Sequence, residues 1–94
     1  YHFKFKVREK ILIAAFCRSF QDPFAPARIA GVLALTATQQ FYTAGDIAQR
    51  VMPNLSPLTL DREKQVREPA IRALRGFLDK MEQISENPEL ATQL

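Results

Sequence analysis

Two aspartates, each leading the same short pattern, constrain this chain most. Asp22 is followed five residues later by Ala27 and then Arg28; Asp61 is followed five residues later by Val66 and then Arg67. The aspartates lie 39 residues apart, a period of helical repeat arrays. The residues after each aspartate also match in type: Val32 overlies Ile71, Ala34 overlies Ala73 and Leu35 overlies Leu74. A repeat of this size buries one face on its own partner helix and needs a neighbouring repeat to cover the other. The chain therefore reads as all-α, a solenoid fragment of about four helices in two hairpins.

Composition agrees. Ninety-four residues make at most one compact unit, and 47% apolar residues can fill a core. Three glycines and no tryptophan argue against a turn-rich β domain. The chain opens on Tyr1 and is expected to be an excised fragment. Cys17 is the only cysteine, which excludes an internal disulfide and fits a reducing compartment. No apolar run reaches the roughly 18 residues of a membrane span. Bases gather before residue 20 and acids after residue 82; that asymmetry either favours head-to-tail stacking or has no role.

In chain order, Tyr1 to Lys6 alternates aromatic and basic residues, which by itself reads as a short extended lead-in. A first helix is expected from about Phe5 to Phe20, with Val7, Ile11, Ala14, Ala15 and Phe16 on one face. Asp22 is placed as N-cap of a second helix from about Pro23 to Phe41. Thr43 is placed as cap of a third segment, whose stripe is Ile47, Val51, Leu55 and Leu58 and which Pro53 should kink or end early. Asp61 is placed as cap of a fourth helix, with Glu63 in its first turn. Val66, Ala70, Ala73, Leu74, Phe77, Leu78, Met81 and Ile84 form its apolar stripe. Its outer face could pair Glu68 with Arg72 and Arg75 with Asp79, and Pro69 should kink it slightly. The division expected is 1–21 as the end of a preceding repeat, 22–88 as the repeats and 89–94 as a frayed tail.

Pro53, Asp61, Val66 and Arg67 stand at the spacing of the HEAT repeat, which the chain resembles. In the earlier unit Asp22, Ala27 and Arg28 fit, while the proline position holds Ala14. The resemblance implies that Asp22, Arg28, Asp61 and Arg67 act structurally, as a ladder across neighbouring turns, in a right-handed solenoid. A narrower resemblance rests on DPFAPAR followed by AGVLAL, and on LTLDREKQVR followed by FLDK. From about Arg18 to Pro88 the chain is similar to the last HEAT repeats of the N-terminal-kinase-like, Scy-type pseudokinases. That resemblance implies a cytoplasmic parent with a degenerate kinase domain, peripheral to the Golgi and the ER–Golgi intermediate. It implies scaffolding in vesicle traffic, with coatomer and small GTPases as partners; fungal relatives are linked to tRNA export. The family's dibasic C-terminal tail does not lie within these 94 residues, which end ATQL.

No catalytic constellation stands out. His2 is the only histidine, so with Cys17 it cannot complete a four-ligand metal site. Gly31, Gly45 and Gly76 stand singly and form no phosphate-cradling loop. No enzyme activity and no cofactor are expected. Two function classes remain. As a protein-interaction scaffold, the chain would present Thr36, Gln39 and Gln40 from one unit and Arg72, Arg75, Asp79 and Lys80 from the next. As an RNA- or tRNA-binding module, it would use Lys4, Lys6, Arg8 and Lys10 interleaved with Phe3 and Phe5. Those aromatics could instead pack on a preceding repeat, in which case the isolated fragment is expected to self-associate.

Overall fold

The computed structural model describes the backbone of residues 2–91 and the side chains of residues 8–91. Among the described residues the chain is helical with no strand. Helix α1 (His2–Ser19) and helix α2 (Ala25–Ala37) form the first hairpin. A 3-10 turn at Gln39–Phe41 leads to the second. Its first rod, residues 44–60, joins α3 (Ala44–Asp46), a π-helical turn (Ile47–Val51), α4 (Met52–Leu55) and a 3-10 stretch (Ser56–Leu60). Its second is α5 (Lys64–Glu86), followed by a short turn, α6 (Pro88–Ala91). Helix α2 packs on α1 and on α5, α5 packs on the end of its own rod, and the π-helical turn meets α1. The result is two stacked hairpins in a slab 18 Å thick, the depth of two helix layers.

One continuous core runs through both hairpins. It holds Ile13 from α1, Phe20 from the turn after it, Val32 and Leu35 from α2, Ile47, Val51, Leu55 and Leu58 from the rod, and Val66, Ala70, Ala73 and Phe77 from α5. Leu74, Met81 and Cys17 are half-buried against it. The two repeats thus share a single apolar seam. At Gly31 helix α2 comes close to α1 and the turn after it: a methyl group there would meet Ser19 Oγ, the Phe16 carbonyl at 3.0 Å and the Phe20 ring at 3.1 Å.

Several expectations are corrected. The lead-in is not extended, because α1 is already helical at His2; Tyr1 lies outside the described residues. An aromatic–basic alternation loses to the unbroken run of good helix formers after it. Helix α1 buries Glu9 and Ile13, and the turn after it buries Phe20, whereas Ile11, Ala14 and Ala15 face outward. Residues 11–17 are apolar without a break, so periodicity could not choose the face. The side chain of Val7 lies outside the described residues.

Neither aspartate is a helix N-cap. Helix α2 starts at Ala25 and α5 at Lys64, each three residues beyond its aspartate, with Phe24 and Glu63 at the cap positions. Pro26 lies in the first turn of α2, where its missing donor has no cost. Thr43 does cap its helix, accepting from the Asp46 N–H at 3.1 Å. Pro53 does not end the rod. The π-helical turn ahead of it and the 3-10 stretch after it change the hydrogen-bond register, and the rod runs on to Leu60. Asn54 Nδ2 donates to the Arg50 carbonyl at 2.6 Å within this irregular stretch. Helix α5 continues unbroken through Pro69, which is buried. Glu68 pairs with Lys64 at 3.7 Å rather than with Arg72, and among the described residues Arg75 and Asp79 form no ion pair. Leu78 in the expected stripe is 54% exposed. Residues 88–91 form a helical turn, with Asn87 Oδ1 accepting from the Glu89 N–H at 2.9 Å; residues 92–94 lie outside the described residues.

Candidate protein-interaction surface

The two hairpins are joined by a polar ladder built twice from the same parts. Asp22 Oδ1 accepts from the Phe24 N–H at 2.8 Å, and Asp61 Oδ2 accepts from the Glu63 N–H at 2.9 Å. These are Asx turns, which aim the chain into the helix ahead. Six residues on, an arginine reaches back. Arg28 Nη1 donates to the Asp22 carbonyl at 2.8 Å, and Arg67 Nη1 donates to the Asp61 carbonyl at 2.9 Å and the Arg62 carbonyl at 3.2 Å.

Arg28 also crosses to the next repeat. Its Nη2 donates to Asp61 Oδ2 at 3.1 Å, and its Nε lies 3.0 Å from Asp61 Oδ1. The side chains are only 6% and 11% exposed, so the pair is desolvated and its loss would leave an uncompensated charge. Burial opposes the charged form of Asp61. The Glu63 N–H, the Arg28 hydrogen bond and the Arg28 and Arg62 charges outweigh it and hold this carboxyl below its ordinary value. Val66 is fully buried in the first turn of α5, and Pro53 is exposed on the rod.

A second feature lies where α5 passes the end of α2. Gln39, Gln40, Gly76, Asp79, Lys80 and Gln83 line an open groove of about 450 Å³. Lys80 closes one side: its Nζ donates to the Gln39 carbonyl at 2.5 Å, and partial burial pulls its pKa down. Its ammonium therefore ties α5 to the end of α2 as well as facing the groove. Arg72, Arg75, Asp79, Gln40 and Thr36 are exposed. Of the residues expected to face a partner, Gln39, Gln40, Asp79 and Lys80 line the groove, while Thr36, Arg72 and Arg75 are exposed but are not among its lining residues.

The basic lead-in is arranged differently. Arg8 and Lys10 are exposed on α1, but residues two apart on a helix stand roughly 200° around its axis. An alternating basic sequence on a helix cannot present one row of cations. Three polar features had no sequence signal. Glu9 is 5% exposed, Lys80 bonds a backbone carbonyl, and the Tyr42 hydroxyl shares a 2.5 Å hydrogen bond with Thr38 Oγ1. Burial pushes the Tyr42 pKa up; the Thr38 bond opposes this, and Cys17 and Glu9 add to it. Burial likewise raises the Cys17 thiol.

Comparison with known proteins gives two relatives at 35% identity over 75 residues, 80% of this chain. They are the protein kinase domain-containing protein ppk3 of Schizosaccharomyces pombe and the probable inactive serine/threonine-protein kinase scy1 of Dictyostelium discoideum. The chain matches the Scy-type pseudokinase family. A third relative, Cytoplasmic export protein 1 of Saccharomyces cerevisiae, is 29% identical over the same length. The chain spans about a tenth of the length of these relatives, 12%, 9% and 10% in turn. No family model and no solved structure matches it.

For a Scy-type segment the arrangement separates two kinds of residue. Asp22, Arg28 and Asp61 are joined at the junction between repeats, while Arg72, Arg75 and Asp79 lie exposed on the surface. The first kind was legible as a repeated spacing. The groove was not, because it needs the 3-10 turn at Gln39 to stand beside Lys80, 41 residues later. Among the described residues no helix is long and apolar enough to cross a membrane, and no group of three metal-ligating side chains converges.

Proposed function

We propose that this segment is a non-catalytic protein-interaction scaffold, and that its contact surface is the groove between the end of α2 and α5. The observation that carries the reading is the convergence of Gln40, Asp79 and Lys80 on one groove, beside the exposed Arg72 and Arg75. Polar side chains held on α5 and on the 3-10 turn tied to it by Lys80 form a fixed surface, which lowers the ordering cost of binding. The relative named as an inactive kinase supports a role without catalysis. In the parent protein the role proposed is scaffolding in Golgi–ER vesicle traffic, in the cytoplasm at peripheral Golgi membranes, with coatomer and small GTPases as partners. The proposed division of the chain is 1–21 as the end of a preceding repeat, 22–88 as the repeats and 89–94 as a tail.

The test is a pull-down of purified coatomer by the wild-type chain and by an Arg72→Glu/Arg75→Glu variant. Reversing two charges on the rim of an interface should weaken capture at least about tenfold at low salt. Full retention of coatomer by the variant would overturn the assignment of this surface.

A second reading, an adaptor for RNA such as tRNA, draws on the relative named as an export protein and on Arg8 and Lys10. Phosphate contacts would make binding fall steeply with salt. Absence of tRNA retention in a low-salt filter assay would remove it.

A further inference from the structure

Gly76 lies inside α5 although nothing in the fold requires glycine there. Its φ is not positive, and a methyl group at this position would meet nothing within 4 Å. Gly31, by contrast, is held to glycine by α1 and the turn after it. Glycine inside a helix destabilises it relative to alanine. What the missing side chain leaves bare is one wall of the groove, which Gly76 lines with Gln39, Gln40, Asp79, Lys80 and Gln83. Close approach of another backbone is the remaining use of a glycine here.

The rest of the lining suits a peptide backbone. The side-chain amides of Gln39, Gln40 and Gln83 form no hydrogen bond among the described residues. Each amide group both donates and accepts, as the N–H and C=O groups of an unpaired extended segment require. Lys80 spends one of its three donors on the Gln39 carbonyl. Arg72 is exposed one turn before Gly76 on α5, and Arg75 is exposed three residues after Arg72. Among the described residues neither arginine is in an ion pair. Lys80, Arg72 and Arg75 thus outnumber the one carboxylate of the lining, Asp79, and favour an acidic ligand.

Both walls belong to this chain: α5, and the 3-10 turn after α2. Gly76 and Leu78 are two residues apart, so they stand roughly 200° around the α5 axis. A neighbour seated on the exposed Leu78 side would lie across the helix from the groove.

We propose that the groove takes an extended peptide segment of a partner protein that carries an acidic side chain. Its backbone lies against Gly76, the amides of Gln40 and Gln83 meet its N–H and C=O groups, and its carboxylate sits at Lys80. Gly76 to Gln83 is about 10 Å along α5, which about three extended residues cover. The peptide site rests on the groove being the contact surface proposed above, and specifies what that surface takes.

A phage-displayed library of random linear heptapeptides, panned on the immobilised 94-residue chain and in parallel on Gly76→Leu, tests it. Leucine is a better helix former than glycine, so melting followed by circular dichroism should show the variant at least as stable as the wild type. Peptides enriched on the wild type should contain aspartate or glutamate and bind Gly76→Leu at least about tenfold more weakly. Gly76→Ala should weaken binding less, and it decides the matter if leucine disturbs α5. Replacing the peptide's acid by its amide should cost about tenfold, and N-methylation of at least one of its backbone amides should cost about as much. No peptide selective for the wild type, enriched peptides without an acid, or peptides indifferent to N-methylation at every position would each overturn the proposal. Coatomer capture reports separately on the surface. Loss of capture by Arg72→Glu/Arg75→Glu with no selective peptide would keep the surface and overturn the peptide site. Full capture by that variant, together with selective peptides, would remove coatomer and support the peptide site.

Discussion

Arg28 in α2 grips Asp61 ahead of α5, 33 residues away, through Nη2 at 3.1 Å and Nε at 3.0 Å. The same guanidinium holds the carbonyl of Asp22, the aspartate that leads its own repeat. One side chain therefore sets the start of its own helix and its distance from the next repeat.

Removing that side chain should be costly. Arg28→Met leaves the Asp61 carboxylate nearly buried with only the Glu63 N–H upon it, and roughly 3 kcal/mol of stability should be lost. Asp61→Asn in the Arg28→Met background should recover part of it, because no buried charge then remains. Urea unfolding of the two single variants and the double variant measures the coupling.

The same pair sets a pH dependence. Asp61 titrates below its ordinary 3.8 in the folded chain, so the unfolded chain takes up its proton more readily. Its contribution is fully present above 3.8 and is lost as pH falls from there through the lower, folded value. Between about pH 5 and about pH 2, Asp61→Asn should show a smaller fall in melting temperature than the wild type. Parallel melting curves would contradict this.

Two glycines should respond in opposite senses. Gly31→Val puts methyl groups against Ser19, Phe16 and Phe20, and should cost about 1–3 kcal/mol through overpacking. Gly76→Ala meets nothing within 4 Å, and should add roughly 0.5–1 kcal/mol because glycine is a poor residue inside a helix. Thermal denaturation of both variants gives the comparison.

The core can be checked by contrast. Phe77 is 1% exposed and Leu60 is 87% exposed. Phe77→Ala should cost about 3–5 kcal/mol, and Leu60→Ser should stay within about 0.5 kcal/mol of the wild type. A large loss at Leu60 would mean that this residue is covered in solution, which sedimentation would reveal.

The amino-acid sequence alone was enough for the helical character, the 39-residue period and the stripe of Ile47, Val51, Leu55 and Leu58. Each rests on spacing along one element, and all four stripe residues are buried. The Thr43 cap was legible for the same reason: its bond spans three residues. Tertiary packing decided what no local pattern encodes. Helix α1 is apolar nearly all round in its second half, so only contact with its neighbours could select Ile13 and Phe20 over Ile11. Ile71 and Leu78 continue a helical stripe, yet they are exposed because no third hairpin covers them among the described residues. The groove beside Lys80, and the reach of Arg28 to Asp61, join residues dozens of positions apart. Their meeting depends on how two hairpins stack, and that is set by the shape of the shared core rather than by any single helix.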